Sequence, residues 1–156
     1  EYRTKTRTSD GSPCLRALTG MNCGPGDNIV AALGLFDIGD LPVESAITAV
    51  TLGELSRGPH ATDDDIERAN RIAVLQRVEA EFGEALPYDS RAARVFGVLC
   101  AQVYAVGRSP RRRSSDLMIV ATAASNGLPL FTTNPKDFAG LESMLTVVPV
   151  VPLWRL

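Results

Sequence analysis

From residue 27 onward, hydrophobic and polar positions alternate between strand-like and helix-like spacing. Short apolar runs typical of buried strands cover residues 45–52, 128–132 and 145–151. Apolar residues at helical spacing cover residues 53–58, 62–82, 90–106 and 116–126. Short strands that alternate with helices predict a three-layer α/β/α fold with a mainly parallel central sheet. Pro149 places the last strand at an edge of that sheet.

The helices differ in the faces that they are expected to bury. The first begins at residue 53 and stops by Gly58, and the second starts at Thr62, ahead of three acids that favour a helix N-terminus. The predicted inward face of the second helix consists of Ile66, Ala69, Ile72, Leu75, Val78 and Phe82. The third helix is predicted to bury Val95, Phe96, Leu99, Val103 and Val106. The last is apolar nearly all round, so it must be buried on most sides, with Ser114 or Ser115 as its cap.

Residues 1–26 follow neither pattern. They are rich in Thr, Ser, Gly and charged residues and show no steady period. We therefore predict that residues 1–26 are a divergent extension, disordered in part, and that residues 27–156 form the folded domain.

Composition narrows the class of protein. The length of 156 residues suits one domain. Because the net charge is −2, a polyanionic ligand would have to bind through a local basic patch or through metal ions. The three cysteines match no zinc-binding spacing. No run approaches the roughly 20 apolar residues of a membrane span, and no signal peptide is visible, so we expect a cytoplasmic protein.

Polar side chains follow the predicted strands at the end where a parallel sheet binds ligands. Glu54 follows the first strand, Asn134 and Asp137 follow the second, and Asp116 opens the apolar helix. Asp27 stands at the start of the predicted domain. Carboxylates brought together need a cation, and oxygen ligands without His or Cys select Mg²⁺ or Mn²⁺. We therefore predict a metal-dependent site built from these residues.

Arginines lie immediately before Asp116. Arg108, Arg112 and Arg113 are positioned to bind the phosphate backbone of RNA. The same arginines also suit a solvated loop, and both interpretations stay open.

Each acid also has a structural interpretation. An isolated Glu54 is typical of an exposed helix, and an isolated Asp116 of a helix start, where it contributes up to about 1 kcal/mol. Asn134 suits a cap of the turn that Pro135 opens, alongside or instead of a site role. We favour a site role for Glu54 and Asp116 and a local structural role for Asp137.

Three motifs resemble the PIN-domain toxins of VapBC toxin–antitoxin modules: T-L-G-E-L at 51–55, D-L-M-I-V-A-T-A at 116–123 and T-T-N-P-K-D-F at 132–138. The resemblance covers about residues 28 to 151. It implies a Mg²⁺- or Mn²⁺-dependent endoribonuclease that cuts tRNA or rRNA, forms a homodimer and is neutralised by a VapB-like antitoxin. By motif, Glu54 and Asp116 match acidic metal-site residues and Asn134 matches a fourth site position. Arg113 stands where some relatives carry an Arg.

The amino-terminal end departs from the family pattern. Members begin with a hydrophobic strand that ends in D-T-N or D-T-S, whereas this chain has "GPGDNIVAAL". The family Asp falls at Gly26, and Asp27 stands one position late. We therefore expect the chain to lack the central first strand and one ligand, unless Asp27 reaches the metal from a loop. The alternative function is an impaired PIN-like protein that binds antitoxin or RNA without cutting. A phosphatase-like metal hydrolase is disfavoured because the chain has no aspartyl nucleophile motif.

Overall fold

The computed structural model describes residues 15–18, 44–133 and 135–150, without the side chains of residues 15–18, Glu44 and Arg112. The strands are β1 Leu15–Leu18, β2 Glu44–Ile47, β3 Leu130–Thr132 and β4 Val147–Pro149. The α-helices are α1 Ala49–Arg57, α2 Asp65–Phe82, α3 Ser90–Ala105 and α4 Ser114–Ser125. Short 3-10 turns cover Gly58–Ala61, Pro110–Arg113 and Pro135–Phe138. None of the helices in these ranges is long and apolar enough to cross a membrane.

The strands form one sheet in the order β2-β1-β3-β4, and every pair is parallel. Leu130 of β3 packs in a core with α3 and α4, including Leu99 and Val120. The next residue, Phe131, packs with Ile47 and with side chains of α1 and α2. Because successive side chains of a strand point to opposite faces, these two cores lie on the two sides of the sheet. The predicted three-layer α/β/α fold is confirmed, and Pro149 lies in β4, at an edge of the sheet that the described strands form.

β1 corrects one expectation from the sequence. It lies within residues 1–26, where no strand was expected, and it occupies the middle of the described sheet. Ala17 is in register with Ala46 on one side and with Leu130 on the other. The segment "LRAL" carries no β-branched residue, so its pairing partners, not its local propensity, account for the strand. The expectation that the chain lacks a central first strand is therefore wrong, while the domain boundary at residue 27 stays a prediction.

α1 begins four residues earlier than the pattern predicts. Thr48 is fully buried and extended, and its hydroxyl accepts a hydrogen bond from the backbone N–H of Thr51 at 3.1 Å. This cap starts the helix at Ala49 and ends the strand at Ile47. The β-branched residues at 48, 50 and 51 concealed the cap, because threonine is favoured both in strands and at helix starts.

α2 packs the end of its predicted face, Val78 and Phe82, into the core, but it exposes the beginning of that face. Val78 is fully buried and Val74 and Phe82 pack beside it, whereas Ile66 is 75% exposed and Ile72 is 40% exposed. A step of four residues along an α-helix rotates the position by about 40° and a step of three by about 60° the other way, so a series of threes moves steadily round the helix. The predicted face followed steps of three and so turned away from the sheet.

Three helix ends also differ from expectation. Asp64, not Thr62, caps α2, and its carboxylate accepts from the N–H of Glu67 at 2.8 Å. Neither Ser114 nor Ser115 caps α4. Its N-cap residue is Arg113, whose side chain makes no capping hydrogen bond to the first turn of the helix. α3 ends at Ala105, so Val106 leaves the helix and is 63% exposed.

Candidate active site

The carboxyl ends of the parallel strands bring three distant acids together. α1 follows β2 and carries Glu54, while the turn Pro135–Phe138 follows β3 and carries Asp137. Asp116 lies in the first turn of α4. The charges of Glu54 and Asp137 both act on the carboxyl group of Asp116. The three acids therefore lie near enough at this edge of the sheet for the charges of Glu54 and Asp137 to act on Asp116.

Among the acids in the described part of the chain, Asp116 has the most strongly perturbed pKa. Burial, followed by the negative charge of Glu54, raises the pKa of Asp116 from 3.8 to about 6. The positive charge of Arg113 opposes this rise, and the charge of Asp137 adds to it. Asp116 is thus a half-buried carboxylate whose charge is unfavourable in the protein alone, which is typical of functional sites.

Glu54 faces the start of α4. Burial raises the pKa of Glu54, and a hydrogen bond with the Ser115 side chain, together with the charge of Arg57, opposes that rise. This interaction places the Ser115 side chain at the start of α4 near the Glu54 carboxylate of α1. Ser115 was considered only as a helix cap, and nothing in the order S-S-D separates the two roles, so sequence reasoning missed this contact.

Arg113 is held by two bonds to Asp137. Its guanidinium donates to the Asp137 carbonyl oxygen at 2.7 Å and to the carboxylate Oδ1 at 2.6 Å. The Arg113 side chain is 42% exposed and that of Asp137 is 17% exposed, so the pair lies at the edge of the site. The local structural role favoured for Asp137 agrees with this contact, which fixes a positive charge beside Asp116.

The donors suit a hard cation. Glu54 and Asp116 are carboxylates that repel one another, and a divalent cation relieves such repulsion. In residues 44–133 and 135–150, no three Asp, Glu, His or Cys side chains are grouped closely enough to hold a metal ion. A site with three protein ligands therefore needs a further donor.

Several predicted site residues lie outside the described part of the chain. Asp27 and Asn134 are not described, nor is the side chain of Arg112. β1 is parallel to its neighbours and so ends at the same edge as β2 and β3. Arg108 is exposed and lines a cavity that Arg113 and Asp137 also line.

Sequence comparison finds two clear matches. The model of the PIN domain family matches residues 24–142. Ribonuclease VapC5 of Mycobacterium tuberculosis is 41% identical over 107 residues, which cover 69% of this chain and 76% of that protein.

Comparison with solved structures also finds proteins of the VapBC family. The crystal structure of VapBC-5, a member of the VapBC family of toxin–antitoxin systems from Mycobacterium tuberculosis, matches with a TM-score of 0.70 and 33% identity. The match covers 88% of this chain and 98% of that one. DNA-bound VapBC from Salmonella typhimurium matches with a TM-score of 0.64 and 20% identity, over 86% of this chain and 98% of that one. At 20% sequence identity, this second match shows a shared fold and nothing about function.

Proposed function

Because the chain belongs to the PIN-domain family and is VapC-like, we propose that it is a ribonuclease toxin of a toxin–antitoxin system. Its reaction is hydrolysis of RNA phosphodiester bonds, with tRNA or rRNA as substrate and Mg²⁺ or Mn²⁺ as cofactor. The observation that carries the proposal is the half-buried pair of Glu54 and Asp116 at the carboxyl edge of the sheet.

Glu54 and Asp116 would hold the cation, with Asp27 and Asn134 as proposed further ligands. When bound, a divalent cation supplies Lewis-acid charge and water activation. Asp137 remains a candidate ligand, but its Oδ1 is held by Arg113, so direct ligation through that oxygen requires exchange of the ion pair.

The remaining residues position the substrate. The contact with Ser115 orients the Glu54 carboxylate, and Asp137 holds Arg113 where a phosphate of the RNA would approach Asp116. Water adds to phosphorus, the bond to the leaving ribose oxygen breaks, and a proton passes to that oxygen. Arg108 and Arg112 are proposed to bind neighbouring phosphates.

Partners follow from the same family. The VapBC family consists of toxin–antitoxin systems. We propose that this chain binds a VapB-like antitoxin and that it forms a homodimer. Because RNA is the proposed substrate, the cytoplasm is the proposed site of action.

Cleavage of a tRNA and rRNA pool tests the activity. Asp116→Asn and Glu54→Gln should each lower the cleavage rate at least about 100-fold, because both remove charge that binds the cation. Asp63→Asn, which removes an exposed acid ahead of α2, is the matched control and should cut like the parent. EDTA should stop cleavage, and added Mg²⁺ or Mn²⁺ should restore it. Full activity of Asp116→Asn would refute the proposed site.

A second function is favoured by the amino-terminal departure. Matched by motif through Asn28, the family Asp falls at Gly26, eight residues beyond the end of β1 at Leu18, and the described residues alone form no metal-holding group of three acids. If cleavage is weak in the parent and strong in Gly26→Asp, the chain is an impaired toxin that binds RNA or antitoxin. If Asp27→Asn alone abolishes cleavage by the parent, Asp27 supplies the missing ligand.

A further inference from the structure

A positive charge is fixed at the edge of the acidic site. The Arg113 guanidinium donates to the Asp137 carbonyl oxygen at 2.7 Å and to the Asp137 Oδ1 at 2.6 Å. Two bonds to one residue fix both the position and the plane of the guanidinium, which a single bond would leave free to turn. The charge that they fix acts on Asp116 and opposes the effect of the Glu54 charge.

The charges of the site suit one divalent cation. Glu54, Asp116 and Asp137 carry three negative charges when they are ionised, and Arg113 carries one positive charge, so two negative charges remain. A single Mg²⁺ or Mn²⁺ neutralises that remainder, whereas two such ions would leave two positive charges in excess before RNA binds. A fourth carboxylate from Asp27 would still leave an excess with two ions.

A second ion would also need a carboxylate that Arg113 already engages. The ions of a two-metal site lie about 3.5–4 Å apart, so they share a small set of ligands. A cation that binds Oδ1 of Asp137 would have to displace the guanidinium, and it would meet the charge of Arg113 nearby. Of the three described acids of the site, this leaves Glu54 and Asp116, which are too few carboxylates for two ions.

We propose that Arg113 takes the place of a second cation, so that each chain binds one divalent cation through Glu54 and Asp116. The inference deepens the proposed ribonuclease function and rests on its divalent cation. A guanidinium has five N–H donors, and Asp137 takes two bonds from that of Arg113. Arg113 can therefore bind Asp137 and the phosphate that is cut at the same time, and its charge does not depend on the concentration of metal.

Titration with Mn²⁺ counts the ions without any cleavage. The full chain is titrated at pH 7.5, above the pKa of about 6 of Asp116, and free Mn²⁺ is measured by EPR. The number of ions bound per chain follows by difference, and we expect one for the parent. Two ions of similar affinity in the parent would overturn the proposal, whatever the variants do.

Arg113→Met should change that count. The substitution removes the charge and releases Oδ1 of Asp137, so we expect a second Mn²⁺ to bind. Adding Asp137→Asn to Arg113→Met should abolish the second ion, because that ion would depend on the released carboxylate. Arg111→Met removes an exposed charge from the same 3-10 turn and is the matched control, which should bind one ion like the parent. Circular dichroism checks that each variant is folded.

Two results with the variants would contradict this role of Arg113. The first is a folded Arg113→Met that binds one ion with the affinity of the parent, since the guanidinium would then keep no cation out. The second is a loss of the single ion in Asp137→Asn alone, since Asp137 would then be a ligand of the first ion and not the anchor of Arg113.

The two proposals fail separately. If the parent cuts RNA but binds two ions, the ribonuclease proposal stands and the role of Arg113 is wrong. If the parent binds one ion and Arg113→Met binds two, yet neither cuts RNA, the role of Arg113 stands and the ribonuclease proposal falls. If the parent binds no Mn²⁺, the role of Arg113 and the proposed cofactor are both wrong.

Discussion

Single residues of the site act on one another mainly through charge. Ionisation of Asp116 is made unfavourable by its burial and by the charge of Glu54, and the charge of Arg113 offsets part of that free energy. The sequence predicted the convergence of Glu54, Asp116 and Asp137, because strand ends in a parallel sheet meet at one edge. The contact with Ser115 could not be predicted, since it depends on how α1 and α4 pack.

The stability of the metal-free protein should depend on pH through Asp116. Its pKa of about 6 lies above its usual 3.8, so its contribution to stability is fully present below pH 4 and is lost as pH rises through 6. Asp116→Asn cannot ionise, so its stability relative to the parent should grow by about 1–2 kcal/mol between pH 4 and pH 8, after allowance for solvent screening. Urea denaturation in EDTA measures this difference. A difference that stays constant with pH would contradict the assignment.

The pKa of Asp116 should respond in opposite directions to its two neighbours. Arg113→Met removes a positive charge and should raise that pKa above about 6, whereas Asp137→Asn removes a negative charge and should lower it. Carboxyl ¹³C NMR titration in the absence of metal gives the values. Arg111→Met, on the same 3-10 turn, is the control and should move the pKa less. Equal shifts from Arg113→Met and Arg111→Met would show that net charge, not this contact, governs Asp116.

The helices hold the site side chains in place, and the residue at which each helix begins decides where along it a side chain stands. The cap at Thr48 starts α1 at Ala49, and that start sets the position of Glu54 along the helix. Sequence pattern located α3 to within one residue but overran the strand before α1, because Thr48 and the valine and threonine that follow it fit a strand equally well. The buried stripe of α2 was misjudged because its apolar residues exceed what one face can bury.

Thr48→Val tests the start of α1. The change keeps the shape of the buried side chain but removes the oxygen that accepts from the Thr51 N–H, and it also breaks the 3.0 Å contact between the two hydroxyls. The free energy of unfolding should fall by about 1–2 kcal/mol, measured in urea. Ser114→Ala, at the start of α4 where no side-chain cap forms, should change it by less than about 0.5 kcal/mol. Similar losses in both variants would contradict the different roles of these two positions.

The molecule as a whole depends on the strand that was not foreseen. β1 pairs with β2 and β3, so it joins the two halves of the described sheet. Local propensity could not reveal it, since "LRAL" lies among glycine, serine and cysteine and has no alternating pattern. The fold class itself was predictable, because the apolar periods of the helices and later strands suffice to specify an α/β arrangement.

Truncation separates an extension from a structural strand. A chain that starts at residue 27 loses the middle of the sheet and should lack cooperative thermal unfolding, whereas one that starts at residue 11 keeps β1 and should retain it. Circular dichroism and gel filtration measure both. A stable, cooperatively unfolding chain from residue 27 would show that β1 is dispensable and would support the prediction that residues 1–26 are an extension.

The central place of β1 also bears on how the protein is made. Leu18 pairs with Phe131, more than a hundred residues later in the chain, and such distant pairing slows folding because a large loop must close first. On the ribosome, the sheet edge that carries Glu54 and Asp116 cannot be completed until β3 has emerged. The proposed site therefore cannot assemble until most of the chain has been synthesised.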